Sequence, residues 1–76
     1  MTRLLPEACR AARAILRWST EDLAKESGVA GTTINRLENG VAGRISTEGK
    51  LIATFAANGV EILNGDSPGA RLRPLG

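Results

Sequence analysis

The 76-residue chain has no histidine, no tyrosine and only one cysteine, Cys9. Without histidine, the Ser-His-Asp and Cys-His groups of nucleophilic enzymes cannot be assembled. A single cysteine forms no disulfide within the chain, and without histidine it supplies no cluster of metal ligands. We therefore expect a protein that is not an enzyme and that holds no metal or other cofactor.

Long apolar segments are also missing. No apolar run approaches the roughly 18 residues of a membrane-spanning helix. Arg3, Arg10 and Arg13 interrupt the apolar N-terminal region, where a signal peptide would need an unbroken core. The net charge of +2 and the pI of about 9.3 permit nucleic-acid binding without requiring it. These features predict a reduced, cytoplasmic protein that does not enter a membrane.

The apolar residues that are present recur at helical spacing. Their periodicity predicts four helices, over residues 6–17, 19–26, 31–38 and 47–57. A chain of this length buries only about 60% of its unfolded surface, so a small core alone gives marginal stability. Since disulfides and metals are excluded, the remaining sources of stability are close helix packing and assembly with a second copy.

The ends of these helices carry their own signals. Ser19 and Asp22 resemble a capping box at the start of the second helix, with aspartate in place of the usual glutamate or glutamine. Ser46 or Thr47 is expected to cap the fourth helix. Glycine, alone or after asparagine, marks the ends of the last three helices: Gly28, Asn39-Gly40 and Asn58-Gly59.

The tail, residues 60–76, differs in kind from the helical domain predicted for residues 1–59. Residues 60–63 are β-prone, 64–69 are rich in turn formers and 70–73 alternate, which together predict a β-hairpin. We expect this hairpin to dimerise the protein by edge-to-edge pairing across a two-fold axis. The apolar residues assigned to that contact are Val60, Ile62, Leu63 and Leu72. The alternative is that the hairpin folds back on its own fourth helix.

The second and third helices, joined by a tight turn that contains Gly28, suggest a helix-turn-helix unit. The most specific stretches are Leu23-Ala24, Gly28-Val29, Thr33-Ile34 and Leu37-Glu38-Asn39-Gly40. With this spacing the sequence resembles the DNA-binding domain of the Cro/phage-repressor family, also called the xenobiotic-response-element family, over about residues 7–58. The resemblance implies a mainly α fold, a four-helix Cro/repressor-like helix-turn-helix bundle, followed here by the C-terminal β-hairpin.

The resemblance also implies where double-stranded DNA would bind. The residues at matching positions are Ser19, Thr20, Gly31, Thr32, Thr33, Asn35, Arg36 and Arg44. Arg36 would bond O6 and N7 of guanine, which is worth about 1–3 kcal/mol of discrimination. Thr32 would meet a thymine methyl group or form a hydrogen bond, and Asn35 would read adenine or hold a phosphate.

Other matching positions would hold the DNA backbone. Ser19, Thr20 and Thr33 lie where family members contact it, aided by N–H groups at the start of the second helix. Arg44, in the loop after the third helix, matches a phosphate or minor-groove contact. The sequence departs from the family pattern at Thr20, where a longer glutamine is frequent, and at Ala30, where serine or threonine commonly caps the third helix.

Arg13 and Glu38 match a pair that, in many relatives, links the first helix to the third and sets the angle of the recognition helix. The thiol of Cys9 is expected to be unreactive, because no second cysteine exists to resolve it. Trp18 is expected to pack between the first and fourth helices. Three other arginines are interpreted as solvated surface charges: Arg3, Arg10 and Arg17.

Together these features predict a sequence-specific DNA-binding transcription regulator that acts as a homodimer on an inverted-repeat operator, with no small-molecule effector. It would repress by blocking polymerase or activate by touching it, and the sequence does not choose between the two. The alternative is an antitoxin or other protein-binding module on the same fold, which predicts a stable complex with a second protein.

Overall fold

The computed structural model describes residues 3–63 and 67–73 of the chain. The elements, in chain order, are α1 (Pro6–Leu16), α2 (Thr20–Ser27), α3 (Gly31–Glu38), α4 (Ile45–Ala57), β1 (Val60–Leu63) and β2 (Gly69–Leu72). The predicted mainly helical class, with four helices and a C-terminal antiparallel hairpin, is therefore confirmed. Residues 1–2, 64–66 and 74–76, which include part of the predicted hairpin loop, lie outside the described residues.

Helix α1 begins at Pro6. The N–H of a first helical residue has no partner within the helix, so proline, which lacks this N–H, loses no hydrogen bond there. The helix ends at Leu16, and the C-cap residue Arg17 has a left-handed backbone with φ of 59°. The N–H groups of Arg17 and Trp18 donate to the carbonyls of Ala14 and Arg13, at 3.1 and 2.8 Å, and so satisfy two terminal acceptors. This reversal was not predicted, because glycine or asparagine usually marks such a position and arginine does not.

The α2–α3 connection follows its sequence signals closely. Ser19 Oγ accepts from the N–H of Asp22 at 3.0 Å, and the Asp22 carboxylate accepts from the N–H of Ser19 at 2.9 Å, so the predicted capping box is present. Gly28 ends α2 with φ of 76°, a left-handed conformation that glycine adopts without strain. Buried Val29 then leads the chain into α3, which has no side-chain cap.

The predicted cap of α4 is wrong. The helix begins at Ile45 rather than at residue 47, because the N–H of Glu48 already donates to the carbonyl of Arg44 at 3.1 Å. Arg44 therefore occupies the cap position, and neither Ser46 nor Thr47 caps the helix. The end of α4 agrees with its signal, since Asn58 is the C-cap and Gly59 has φ of 81°.

All four helices and β1 contribute to one apolar core. Its buried members are Leu4, Ala8, Cys9, Ala12, Leu23, Val29, Ile34, Leu37, Leu51, Phe55 and Val60. The Trp18 ring stacks on Phe55 of α4, with ring centroids 6.2 Å apart. This contact confirms the α4 side of the predicted packing position of Trp18, which directly follows α1.

The hairpin packs on the helices of its own chain. Val60 pairs with Leu72 and Ile62 with Ala70, and such partners share one face of an antiparallel pair. On this face Val60 is buried, and Ile62 and Ala70 pack against the core, beside α1 and α4. The folded-back alternative therefore describes the chain. The hairpin and the helices share a core, so the boundary predicted at residue 59 separates two parts of one domain.

This packing corrects the dimer assignment of Val60. Only 1% of Val60 is exposed, so its side chain has no surface to offer a second copy while the chain stays folded. Ile62 and Leu63 are half-buried, and Leu72 is 62% exposed. For these three residues the contact with a second copy stays a prediction.

Candidate nucleic-acid interface

Helix α3 has one buried and one exposed face. Ile34 and Leu37, three residues apart, lie in the core and are 0% and 4% exposed. Thr32, Asn35 and Arg36 are exposed on the opposite side. Glu38 is the only acidic residue of α3, and it is buried, so the exposed face carries no negative side chain. This face can offer hydroxyl, amide and guanidinium groups to a ligand.

The first turn of α3 is open to solvent. Ala30, at the cap position, is exposed and cannot accept a hydrogen bond through its side chain, and no side chain of the described residues bonds to this end instead. A β-carbon added at Gly31 would meet nothing within 4 Å, so core packing does not require glycine there. The N-terminal end of α3, beside Thr32, thus presents a small residue and main-chain N–H groups that have no intrahelical partner.

Arg36 and Arg44 border the same surface depression, about 530 Å³ in volume. Thr33 on α3, the loop of residues 41–43 and Thr47 on α4 complete its lining. Both arginines are exposed, and neither forms an ion pair within the described part of the chain. The depression therefore combines two unneutralised cations with two hydroxyl groups, a combination that suits a phosphate oxygen.

At the start of α2, the capping box limits what Ser19 can offer. The capping box uses the backbone N–H of Ser19 and one of the two acceptor lone pairs of its hydroxyl, which leaves the hydroxyl proton and one lone pair for a ligand. Thr20 is half-buried, and Glu21 and Asp22 are exposed beside it. The two carboxylates make this end less favourable for an anion than the depression beside Arg36.

Behind the exposed face, Glu38 is bound by three side chains of α1. Arg13 donates to both of its carboxylate oxygens at 2.7 Å, which is the predicted pair in bidentate form. Cys9 Sγ donates to Oε2 at 3.1 Å, and Arg10 Nη1 donates to the Glu38 main-chain carbonyl at 2.6 Å. These four residues are called the Glu38 cluster below.

The Glu38 cluster perturbs two pKa values. Burial by itself raises the pKa of Glu38, but the hydrogen bonds from Arg13 and Cys9 and the charges of Arg13 and Arg10 together hold it below its usual value. Burial, followed by the hydrogen bond to Glu38, raises the pKa of Cys9 far above its ordinary range. The thiol therefore stays protonated and unreactive in the folded chain.

Two arginines interpreted as surface charges have specific partners instead. Arg10 binds the Glu38 carbonyl, as described above, and Arg3 binds Glu48. Arg3 donates to both carboxylate oxygens of Glu48 at 2.9 and 2.8 Å, and the N–H of Leu4 donates to Oε1 of Glu48 at 2.8 Å. These bonds, and chiefly the hydrogen bond from Arg3, hold the pKa of Glu48 low against the effect of burial. The segment before α1 is thereby joined to the first turn of α4.

The sequence contains a signal for both buried carboxylates. Glu38 falls four residues after Ile34, and Glu48 falls three before Leu51, so helical spacing directs each toward the core. A buried carboxylate needs a cationic partner, which predicts that one arginine serves each. The second arginine on Glu38 has a signal too, since Arg10 and Arg13 are three apart and share a face of α1.

Within residues 3–63 and 67–73, no group of three metal-binding side chains comes together, and no helix has the length and apolar character to cross a bilayer. No protein-family model matches the chain, and no curated protein shows significant similarity to it. The function is therefore argued from the geometry of α3 and its surroundings.

Proposed function

We propose that the chain is a sequence-specific DNA-binding transcription regulator of the Cro/phage-repressor type, with α2 and α3 as its helix-turn-helix and α3 as its recognition helix. The observation that carries the proposal is the division of α3 into a buried apolar face and an exposed face of Thr32, Asn35 and Arg36 without any acid. No catalytic step and no cofactor are part of it.

The dimensions and chemistry of α3 support base reading. An α-helix with its side chains is about 10–12 Å in diameter, and the major groove of B-DNA is about 12 Å wide, so the groove can admit α3. Arg36 has the geometry to donate two hydrogen bonds to guanine. The side-chain amide of Asn35 has one donor group and one acceptor, and adenine presents a partner for each. Thr32 adds a methyl group and a hydroxyl one turn earlier.

Phosphate contacts would fix α3 in the groove. Arg44, the hydroxyls of Thr33 and Thr47 and the uncapped first turn of α3 lie around the reading face and carry no sequence information themselves. Gly31 lets the DNA backbone approach this turn closely. Ser19 and Thr20 are weaker candidates, because Glu21 and Asp22 are exposed beside them.

A homodimer would double this contact. Among the described residues the sheet has two strands, whose outer edges pair with no further strand, and exposed Leu72 lies on the second of them. Pairing of two hairpins would cover both features. Two copies of α3 about 34 Å apart would then read successive major grooves of an inverted repeat.

The test is selection of a duplex from a random-sequence pool, followed by fluorescence anisotropy on the enriched duplex and on a scrambled one. Arg36→Ala is expected to lower the preference for the enriched duplex by about 1–3 kcal/mol. Arg44→Ala is expected to weaken both duplexes equally and to reduce the salt slope by about one. Lys50→Ala, which removes one charge from an exposed position of α4, is the control.

Failure of the wild-type chain to enrich any duplex would refute the proposal. The second candidate, a protein-binding module, is favoured by the exposed apolar side chains of Leu5, Val41 and Ile45. Leu5 and Val41 line one groove of about 220 Å³ between the start of α1 and the α3–α4 loop. A stable complex with the product of a neighbouring gene, in the absence of any duplex preference, would support that candidate.

A further inference from the structure

Three side chains from little more than one turn of α1 converge on a single residue of α3. Cys9 and Arg13 donate to the Glu38 carboxylate, while Arg10 donates to the Glu38 main-chain carbonyl. Side chain and backbone of the same residue are therefore held by the same helix. All the partners come from α1, although Arg13 also donates to the carbonyl of Trp18 just after that helix, at 3.0 Å.

This arrangement restricts movements that apolar packing leaves open. Ile34 and Leu37 hold α3 against the core, but an apolar contact is non-directional and tolerates small rotations. Four hydrogen bonds to the carboxylate and carbonyl of Glu38 fix both the rotation of α3 about its axis and its position along that axis. Arg36 precedes Glu38 by two residues, so its place on the exposed side follows from this orientation.

Recognition by hydrogen bonds needs such control. Contacting groups must be held within about 0.5 Å and 10–20° of the productive geometry by surrounding hydrogen bonds. Arg10 is exposed overall, so its hydrogen bond to the Glu38 carbonyl contributes to the orientation of α3 more than to the burial of apolar surface. Cys9 lies in the core and holds the Oε2 atom that Arg13 Nε also binds.

We propose that Cys9 and Arg10 are positioning residues, which act through Glu38 to orient the DNA-reading face of α3. The proposal rests on the DNA-binding function proposed above. It assigns to both residues an effect on the choice between duplexes, in addition to any effect on stability. The Arg13–Glu38 pair then forms one part of a larger set of contacts with the same task.

The experiment uses the full chain, the duplex that the wild type enriches from a random pool, and a scrambled duplex of equal composition. The measured quantity is the dissociation constant for the scrambled duplex divided by that for the enriched duplex, so a higher ratio means a stronger preference. It is measured well below the melting temperature, and Trp18 fluorescence checks that each variant is folded. Arg10→Ala and Cys9→Ala remove the two donors. Arg10→Lys and Cys9→Ser keep a donor at each site, and Lys50→Ala removes one positive charge from an exposed position of α4.

One bidentate arginine–guanine contact is worth about 5- to 150-fold in discrimination. We expect Arg10→Ala to lower the ratio about tenfold and Cys9→Ala about threefold, since only part of that contact is lost by misalignment. The lysine and serine variants should restore most of the ratio, and Lys50→Ala should leave it unchanged. A salt slope that matches the wild type would show that phosphate contacts remain.

A folded Arg10→Ala or Cys9→Ala variant that keeps the wild-type ratio would overturn the role of that residue. The same conclusion follows if the alanine variant and its conservative partner lower the ratio equally. If the wild type enriches no duplex, the DNA-binding function fails and the positioning role fails with it. These outcomes differ in whether the wild type shows a preference, so the two failures are distinguishable.

Discussion

Replacement of Glu38 by glutamine tests how much of the stability depends on the Glu38 cluster. Glu38→Gln keeps the size of the side chain but removes its charge and one of its two acceptor oxygens. The side chain of Arg13 is only 19% exposed and that of Glu38 is 8% exposed, so both charges of the wild-type pair are largely shielded from water. The variant leaves the Arg13 cation sheltered without its counter-charge.

The expected loss of stability follows from this burial. Removal of one partner from a fully buried ion pair costs about 3–5 kcal/mol. Because Arg13 keeps some contact with water and glutamine still accepts one hydrogen bond, we expect a smaller loss, about 2–3 kcal/mol. A domain of 76 residues has about 4–11 kcal/mol in total, so the variant would be markedly less stable but still largely folded at 25 °C.

Urea unfolding monitored by Trp18 fluorescence is a suitable assay, because the chain has one tryptophan and its ring stacks on Phe55 in the core. With a urea slope of about 1 kcal/mol per molar for a domain of this size, the midpoint should fall by about 2–3 M. The control is Glu61→Gln, which alters the cross-strand pair of Glu61 with Arg71. In that pair the Glu61 side chain is 34% exposed and the Arg71 side chain 63% exposed. The expected cost of this substitution is about 0.5 kcal/mol or less.

Equal losses in Glu38→Gln and Glu61→Gln would refute the reasoning, because burial would then make no difference to the energy of an arginine–glutamate pair. A loss below about 1 kcal/mol in Glu38→Gln alone would do the same, since it would match an exposed pair. An unchanged urea slope is needed for either reading, as a changed slope would signal a different unfolded or folded state.

Three further predictions concern other features of the chain. The pKa values of Glu38 and Glu48 lie below those of unfolded carboxyls, about 4.3, so the folded state binds fewer protons and stability should fall as pH drops below about 5. Acid titration by circular dichroism measures this, and Glu38→Gln should flatten the dependence; an unaltered curve in that variant would contradict it. Arg17→Gly should raise stability by about 1 kcal/mol, because a left-handed conformation strains arginine and not glycine; a lower urea midpoint would show that the Arg17 side chain matters more. The Cys9 thiol should react with Ellman's reagent at least about 100-fold more slowly in the folded chain than in urea, since it is buried and protonated. Rapid labelling of the native protein would contradict the packing of α1.

The helix limits were predictable where local chemistry marks both ends. Residues 31–38 match α3 because Gly28 and Asn39-Gly40 bound it, and the Ser19–Asp22 box fixes the start of α2. The start of α4 was misjudged, because its first hydrogen bond depends on the backbone at Arg44 and not on a capping side chain. The left-handed Arg17 could not be predicted, since tertiary packing of Trp18 overrides the local preference there.

The site was only partly predictable for a similar reason. The exposed positions on α3 follow from the helical period alone, and the family resemblance predicts the pairing of Arg13 with Glu38. The partner of Arg3 lies 45 residues away in sequence, and no local pattern names a partner over that distance. Arg10 lies 28 residues from Glu38 and can be assigned to it only through Arg13, whose face of α1 it shares. The orientation of the hairpin also depended on tertiary packing, since apolar Val60 was equally suited to a dimer contact and to the core.

The Glu38 cluster also limits how this sequence can change over time. An exchanged pair, with glutamate at 13 and arginine at 38, would restore opposite charges but would place a second guanidinium next to Arg10, whose bond to the carbonyl of residue 38 remains. It would also face the Cys9 thiol with a group that cannot accept its proton. The four residues therefore constitute an epistatic unit, in which the effect of any one substitution depends on the other three. Substitutions at Thr32, Asn35 and Arg36 meet no such constraint, so the exposed face of α3 is free to diverge while the fold is kept.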